Sequence, residues 1–381
     1  MGVVMPVYLE SDNVITSLGF TAEENLNAME KGISGIQYCS DPELSEVVFP
    51  ASLVDKERLT NEFLKSENPG FTTFEKLAFL SVRSALSGSS VDPAHPRTVF
   101  ILSTTKGNID LLHEKGKNAE NSQLFLWHSA EMIRRYYHNP NQAIVISNAC
   151  ISGLLAMIVG QRMIKSGSYD HAVIVGADVV SKFVVSGFQS FLSLSAMPCR
   201  PFDRDRDGLT LGEGAGTVIL SNRKPSGRKP AIELVAGASA NDANHISGPS
   251  RTGEGLYIAL KQTLIKFKKM PGFVSAHGTA TPFNDDMESV ALTRAGLQQV
   301  PVNSLKGFTG HTPGRGRHHR IGDWCRLSEQ KSGAKNRRAT ASGTCKSSEY
   351  NNRKYKCAFT FICKNSFRFW RLQCCYIIYK A

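Results

Sequence analysis

Short apolar runs rich in β-branched residues alternate with helix-patterned stretches, and that alternation confines the chain to the α/β class. Val3–Leu9 is β-like, and Thr21 followed three residues later by Glu24 is a capping-box pattern that opens a helix. Val99–Leu102, Ala143–Ile146, Ala172–Val175 and Gly216–Leu220 read as further strands, separated by helices near Glu75–Ser87, Ser122–Tyr137 and Gly153–Lys165. Such a succession predicts a mostly parallel sheet covered on both faces. After the turn-rich linker Asn222–Pro230 the pattern restarts with Ala231–Val235, a helix near Leu256–Lys268, Phe273–Ser275 and Phe308. Two α/β halves joined by a linker result, and no short-period repeat suggests a solenoid.

Beyond Thr312 the text changes. Pro313–Ala381 carries 16 Lys+Arg against 3 Asp+Glu, which leaves 29 and 30 of the chain's 45 and 33 for Met1–Thr312. The net charge of +12 is thus a property of the tail, and the body is about neutral. Cysteine divides in the same way, with Cys325, Cys345, Cys357, Cys363, Cys374 and Cys375 in the tail and only Cys39, Cys150 and Cys199 before it. Three scattered thiols suit a reducing compartment. With no signal-like N-terminus and no run of ~18 apolar residues, a cytoplasmic protein is expected.

Cys150 lies in VISNACISGLLAMIVG, where a strand runs into a turn and then a helix beginning near Ser152. A thiol at a helix N-terminus is favoured as thiolate, and the amides there can bind an oxyanion. By itself, a buried inert cysteine is the plainer reading of this segment. Two histidines change the weighing. His277 follows a short apolar strand in FVSAHGTATPFNDD, and His311 ends VNSLKGFTGHT with Lys306 upstream. A thiolate can take an acyl group from a thioester, two imidazoles can donate to an enolate oxygen, and a lysine can hold the local hydrogen bonds in order.

SNACISG around Cys150, CRPFDRDRDGLTLGEGAG from Cys199, HGTATPFND around His277 and SLKGFTGH around His311 resemble, in order and spacing, the motifs of the beta-ketoacyl-acyl-carrier-protein synthases. The opening VITSLGFTAEENLNAMEKGISGI is also similar, and the likeness covers Val3 to about Thr312. The resemblance implies the elongating Cys-His-His class rather than chain initiators with Cys-His-Asn. It makes Cys150 the nucleophile, His277 and His311 the decarboxylation pair, Lys306 a supporting residue, and Thr279 and Thr281 contacts for the pantetheine arm. It further implies a thiolase-like duplicated βαβαβαββ fold in five αβαβα layers, with no metal or organic cofactor. The implied partners are an acyl carrier protein bearing acyl and malonyl thioesters, and a second subunit in a homodimer or a heterodimer with a related chain. Neither nucleic acid nor membrane is implied.

Other patterns are weaker. Asp203, Asp205 and Asp207 imitate a calcium loop, but its twelfth position is Gly214. Gly212, Gly214 and Gly216 lack dinucleotide spacing and precede a strand. The tail's His318, His319 and six cysteines contain no C-x-x-C pair for zinc, and its basic residues lack the aromatic interleaving of a single-strand binder.

The family continues after its second histidine with a small-residue helix start, and ends in a Gly-Phe-Gly-Gly loop and a last strand. Back-translating GRGRHHRI from Gly314 and stepping one nucleotide forward permits GAAGIIES. The same step on FRFWRLQCCY from Phe367 permits SGFGGCNAAI. A single-nucleotide shift near the codons for Thr312 and Pro313 accounts for the charge, the cysteines and the lost pattern together, and sequencing that DNA stretch against a verified transcript checks it. The expected organisation is therefore 1–225 as the half carrying the nucleophile, 226–312 as an incomplete half carrying both histidines, and 313–381 as an out-of-frame, disordered tail that leaves a sheet edge uncovered. The expected function is decarboxylative Claisen condensation. A truncated inactive pseudo-enzyme, or a binding protein using the basic tail, are the alternatives.

Overall fold

The computed structural model describes residues 5–64, 70–114, 122–226, 231–242 and 250–312, together with the backbone of 358–364 and 372–380. Five strands form the first half-sheet: β1 (Tyr8–Ile15), β4 (Thr98–Ser103), β5 (Ile144–Ile146), β6 (His171–Asp178) and β8 (Gly214–Ser221), in the order β5-β4-β6-β8-β1. The intervening β2 (Gln37–Cys39), β3 (Phe49–Ser52) and β7 (Leu211–Gly212) make a separate three-stranded sheet. Five more strands form the second half-sheet: β9 (Ile232–Asn241), β10 (Phe273–Ser275), β11 (Val302–Asn303), β12 (Ala358–Lys364) and β13 (Leu372–Lys380), in the order β11-β10-β12-β13-β9.

Replacing β1, β4, β5, β6 and β8 by β9, β10, β11, β12 and β13 turns the first order into the second, so the topology is duplicated. The pairing senses agree as well. β4 is parallel to β5 and β6, as β10 is to β11 and β12, while β6/β8 and β1/β8 are antiparallel, as β12/β13 and β9/β13 are. The halves meet where Tyr8 and Leu9 of β1 pair with Glu233 and Ile232 of β9. The sheet is therefore mixed and not mostly parallel, because each half closes with strands that return antiparallel and need no crossover helix in the same sense.

The helix Ser152–Lys165 packs on strands of both halves and is buried on more than one face, through Leu154, Ala156, Met157, Ile158 and Ile164. It forms the middle layer. Thr73–Ser87 covers the outer face of the first half, and Glu254–Phe267 that of the second, which gives the five αβαβα layers. The outer helix of the first half starts with a full capping box, Thr72 with Glu75, and buries Phe74, Leu77, Ala78 and Phe79.

Three further expectations change. β1 begins later than the Val3–Leu9 run and continues through Ser11, Asp12 and Asn13, polar residues that would ordinarily end a strand. Two of them are satisfied by side-chain hydrogen bonds: Ser11 donates to the distant Ala85 carbonyl, and Asn13 donates to the nearby Phe20 carbonyl while accepting from Ala22 N–H. Phe308 belongs not to a strand but to the short helical turn Lys306–Thr309. Pro313–Ala381, expected to carry no strands, contributes β12 and β13, whose sequences AFTFICK and LQCCYIIYK are rich in strand-forming aromatic and β-branched residues. These two strands occupy the interior of the second half-sheet, between β10 and β9, where the expectation was an uncovered sheet edge. The remainder of the expected tail, including Gly314–Ile321, His318 and His319, lies outside the described residues.

Candidate active site

The nucleophile turn is built by its own backbone and one serine. Ala149 adopts φ +43°, a left-handed conformation uncommon for a residue with a side chain. Ser152 holds the turn, accepting from Asn148 N–H at 2.8 Å and donating to the Ala149 carbonyl at 2.6 Å. Cys150 is 2 % exposed and stands just before the helix Ser152–Lys165, at the end where the helix dipole favours negative charge.

His311 comes to that thiol from the second half. Its Nε2 lies 3.2 Å from Cys150 Sγ, and its ring meets the His277 ring edge to face, with centroids 5.2 Å apart. Each histidine is 2 % exposed, and one ligand atom from each of Cys150, His277 and His311 lies within 4.8 Å of the others. The His311 backbone is locked to β7: its N–H donates to the Thr210 carbonyl, and its carbonyl accepts from Gly212 N–H.

His277 is fixed by two buried carboxylates on the first turns of the helix Pro282–Arg294. Glu288 accepts the N–H groups of His277 and Gly278 at 2.7 and 2.6 Å. Asp285 accepts those of Thr279 and Ala280 at 2.9 and 3.2 Å, and that of Phe202 at 2.8 Å. Four successive amides of the histidine loop thus end on carboxylate oxygens, bonds roughly twice as strong as neutral ones. Lys306 Nζ sits 3.3 Å from His277 Nδ1 and also donates to the His277 carbonyl, which Ser304 shares. Thr279 and Thr281 touch through their hydroxyls at 2.8 Å.

Cys150, His277, His311 and Lys306 therefore fall in one place, and Thr279 and Thr281 follow His277 on the same loop. Asp285, Glu288, Phe202 and Ser304 were not foreseen. The usable signal was PFNDDMES, where Pro282 marks a helix start and Asp285 and Glu288, three apart, share one face. The calcium-like turn is tied instead to this same helix, Arg206 bonding Asp286 and lying 3.9 Å from Asp285. Gly212, Gly214 and Gly216 run through β7 and β8.

Burial pushes the Asp285 carboxyl up to about 6, with the adjacent Glu288 adding to the effect. The folded chain thus holds this proton more tightly than an unfolded aspartate near 3.8. The stability this contributes is complete below about pH 4 and is lost as pH rises through about 6. Asp285→Asn stays neutral throughout. The stability of the parent relative to this variant is expected to fall by about 2 kcal/mol between pH 4 and pH 7, read from denaturant midpoints. A pH-independent difference would show that Asp285 does not titrate there.

The family model for the beta-ketoacyl synthase N-terminal domain matches residues 66–226, and that for the C-terminal domain matches residues 232–316. The chain belongs to the beta-ketoacyl synthases. Among curated synthases it is 37% identical over 199 residues to 3-oxoacyl-[acyl-carrier-protein] synthase 2 of Vibrio cholerae, a match covering 48% of each chain. It is 32% identical over 186 residues to the ketoacyl synthase alpha subunit of the Streptomyces glaucescens tetracenomycin polyketide synthase, covering 45% of this chain and 44% of that one. The chain thus spans about half the length of the curated relatives it matches. In fold, it is similar to a Xenorhabdus doucetiae ketosynthase solved in complex with its chain length factor, at TM-score 0.79 and 24% identity, covering 99% of this chain and 98% of that one. A Burkholderia phymatum beta-ketoacyl synthase gives 0.79 and 19%, covering 99% and 100%. Like the expected family fold, both are ketosynthases with the thiolase-like architecture.

Proposed function

We propose that this synthase condenses an acyl group held on Cys150 with the enolate of a malonyl thioester on an acyl carrier protein. The observation that carries the proposal is the buried contact of Cys150 Sγ with His311 Nε2 at 3.2 Å, with the His277 ring against the His311 ring. In the first step the Cys150 thiolate attacks the acyl thioester and the carrier thiol leaves. Malonyl-carrier then loses its carboxylate as carbon dioxide. The electron pair of the broken C–C bond forms an enolate whose oxygen His277 and His311 receive by hydrogen bonding. The enolate carbon attacks the acyl-cysteine carbonyl, and the 3-oxoacyl-carrier product departs as Cys150 regains its thiolate.

Lys306, whose ammonium can only donate, makes His277 Nδ1 the acceptor and leaves Nε2–H as the donor this chemistry needs. Thr279 and Thr281 serve the pantetheine arm. In this scheme residues 1–225 supply the nucleophile and 226–312 both histidines. A second subunit, identical or related, pairs along β5, the end strand of the first half-sheet, beside the stacked and exposed Phe125 and Trp127. A cytoplasmic location fits the three thiols of the body. Among the described residues no helix is long and apolar enough to cross a membrane.

Incubating the chain with an acyl-carrier thioester and mapping its peptides by mass spectrometry tests the proposal. The acyl mass is expected on Cys150 and is expected to move into a 3-oxoacyl product when malonyl-carrier is added. A folded chain that takes no acyl group at Cys150 would refute it.

A further inference from the structure

Cys150, His277 and His311 form a donor set that transition metals favour: one thiolate and two imidazoles, buried, with ligand atoms within 4.8 Å of one another. Three protein ligands with a fourth position open is the pattern of a zinc centre. Tetrahedral zinc, with bonds of about 2.0–2.3 Å, places its ligand atoms roughly 3.3–3.8 Å apart, so small side-chain shifts would complete the site.

A histidine that binds a metal gives a lone pair from one ring nitrogen and donates N–H from the other, usually to a carboxylate, a carbonyl or water. His277 is held the opposite way. Lys306 Nζ, 3.3 Å from Nδ1 and bonded also to the His277 carbonyl, has protons to give and no lone pair as an ammonium. With Nδ1 accepting that bond from an ammonium, the ring proton is assigned to Nε2. Neither nitrogen can then ligate. An ammonium beside the ring would also oppose a divalent cation.

We propose that Lys306 keeps the Cys150–His277–His311 cluster from becoming a zinc site, by occupying Nδ1 of His277 and fixing the ring proton on Nε2. The inference rests on this geometry and not on the condensation chemistry. Lys306→Gln should reverse the arrangement, because an amide oxygen can accept Nδ1–H and leave the Nε2 lone pair available. Lys306→Leu should remove the block without adding an acceptor. Lys306→Arg, which keeps donors only, should preserve it. When the ion binds, the Cys150 thiol proton passes to solvent, and no group is oxidised or reduced.

The test uses the full chain and cobalt(II), followed by sulfur-to-cobalt charge-transfer absorption. Alkylation of Cys150 by iodoacetamide with and without zinc(II), read by peptide mass spectrometry, runs beside it. Parent and Lys306→Arg should show no Cys150-dependent absorption and equal alkylation with and without zinc. Lys306→Gln should bind at least about tenfold more tightly, with Cys150 protected, and Lys306→Leu should lie between. Adding Cys150→Ser to Lys306→Gln should abolish the signal, which separates this site from the tail cysteines. Cys150-dependent cobalt absorption in the parent would overturn the proposal. So would a Lys306→Gln chain, folded by circular dichroism, that binds no better than the parent. If that variant does not fold, Lys306→Leu is held to the same criterion, and the parent measurement stands by itself. No readout involves turnover, so condensing activity and metal exclusion fail or survive separately.

Discussion

Cys150→Ala is expected to lower 3-oxoacyl product formation by at least about 10⁴-fold, the scale on which loss of a covalent nucleophile acts. The variant keeps His277 and His311, whose backbones are held by Glu288 and by β7 and not by the thiol. Release of carbon dioxide from malonyl-carrier should therefore persist. His277→Ala should give the converse at the decarboxylation step: acylation of Cys150 continues, and carbon dioxide release falls by about 10²–10⁴-fold. Carbon dioxide and 3-oxoacyl product, measured in the same reactions, check both. Condensation retained in Cys150→Ala would remove the thiol from the mechanism.

Gly212→Ala carries the second large effect, through backbone alone. A Cβ on Gly212 would stand 2.1 Å from the Thr309 carbonyl oxygen, and one on Gly310, where φ is +65°, would stand 2.5 Å from the Leu211 carbonyl oxygen. The two glycines let β7 and the Thr309–His311 loop pass in contact, with Gly212 N–H on the His311 carbonyl. Neither obstacle is a flexible side chain, so the strand and the loop must separate. His311 would leave its 3.2 Å contact with Cys150, and a displacement of about 1 Å in a catalytic group costs on the order of 10²-fold in rate. Condensation and decarboxylation should fall together by that factor. Gly187→Ala, on the helix Lys182–Ser190 with nothing within 4 Å of the added carbon, should leave both unchanged. Parent rates in Gly212→Ala would show that the loop yields without cost.

The parts of the fold legible in the sequence were those with a strong period or a short motif. Thr98–Ser103, His171–Asp178 and Ser152–Lys165 announce themselves by composition and spacing, and three of the motif segments carry Cys150, His277, Lys306 and His311, which the fold brings into a single site. Features set by distant partners were not legible. Ser11 looks like a turn residue until Ala85, 74 positions away, accepts its hydroxyl. Asp285 and Glu288 look like an ordinary acidic helix start until the path of the His277 loop brings four amides onto them. Strand sense was missed for a related reason, since the antiparallel return of β8 beside β6 is not written in the composition of either strand. β12 and β13 were obscured by the charge and cysteines around them, although their own aromatic and β-branched content was available to read.

The placement of β12 and β13 between β10 and β9 bears on how the chain comes off the ribosome. β12 and β13 are made after every other described strand yet go into the middle of the second half-sheet, so β9 and β10 must wait, unjoined to each other, until those residues emerge. Cys150 leaves the exit tunnel long before, just ahead of a helix one face of which faces that unfinished half. A chain that stalls or is cut before β12 therefore exposes the nucleophile's helix to solvent and chaperones, and quality control during synthesis acts on a species that already carries the thiol but has no settled place for His277 and His311.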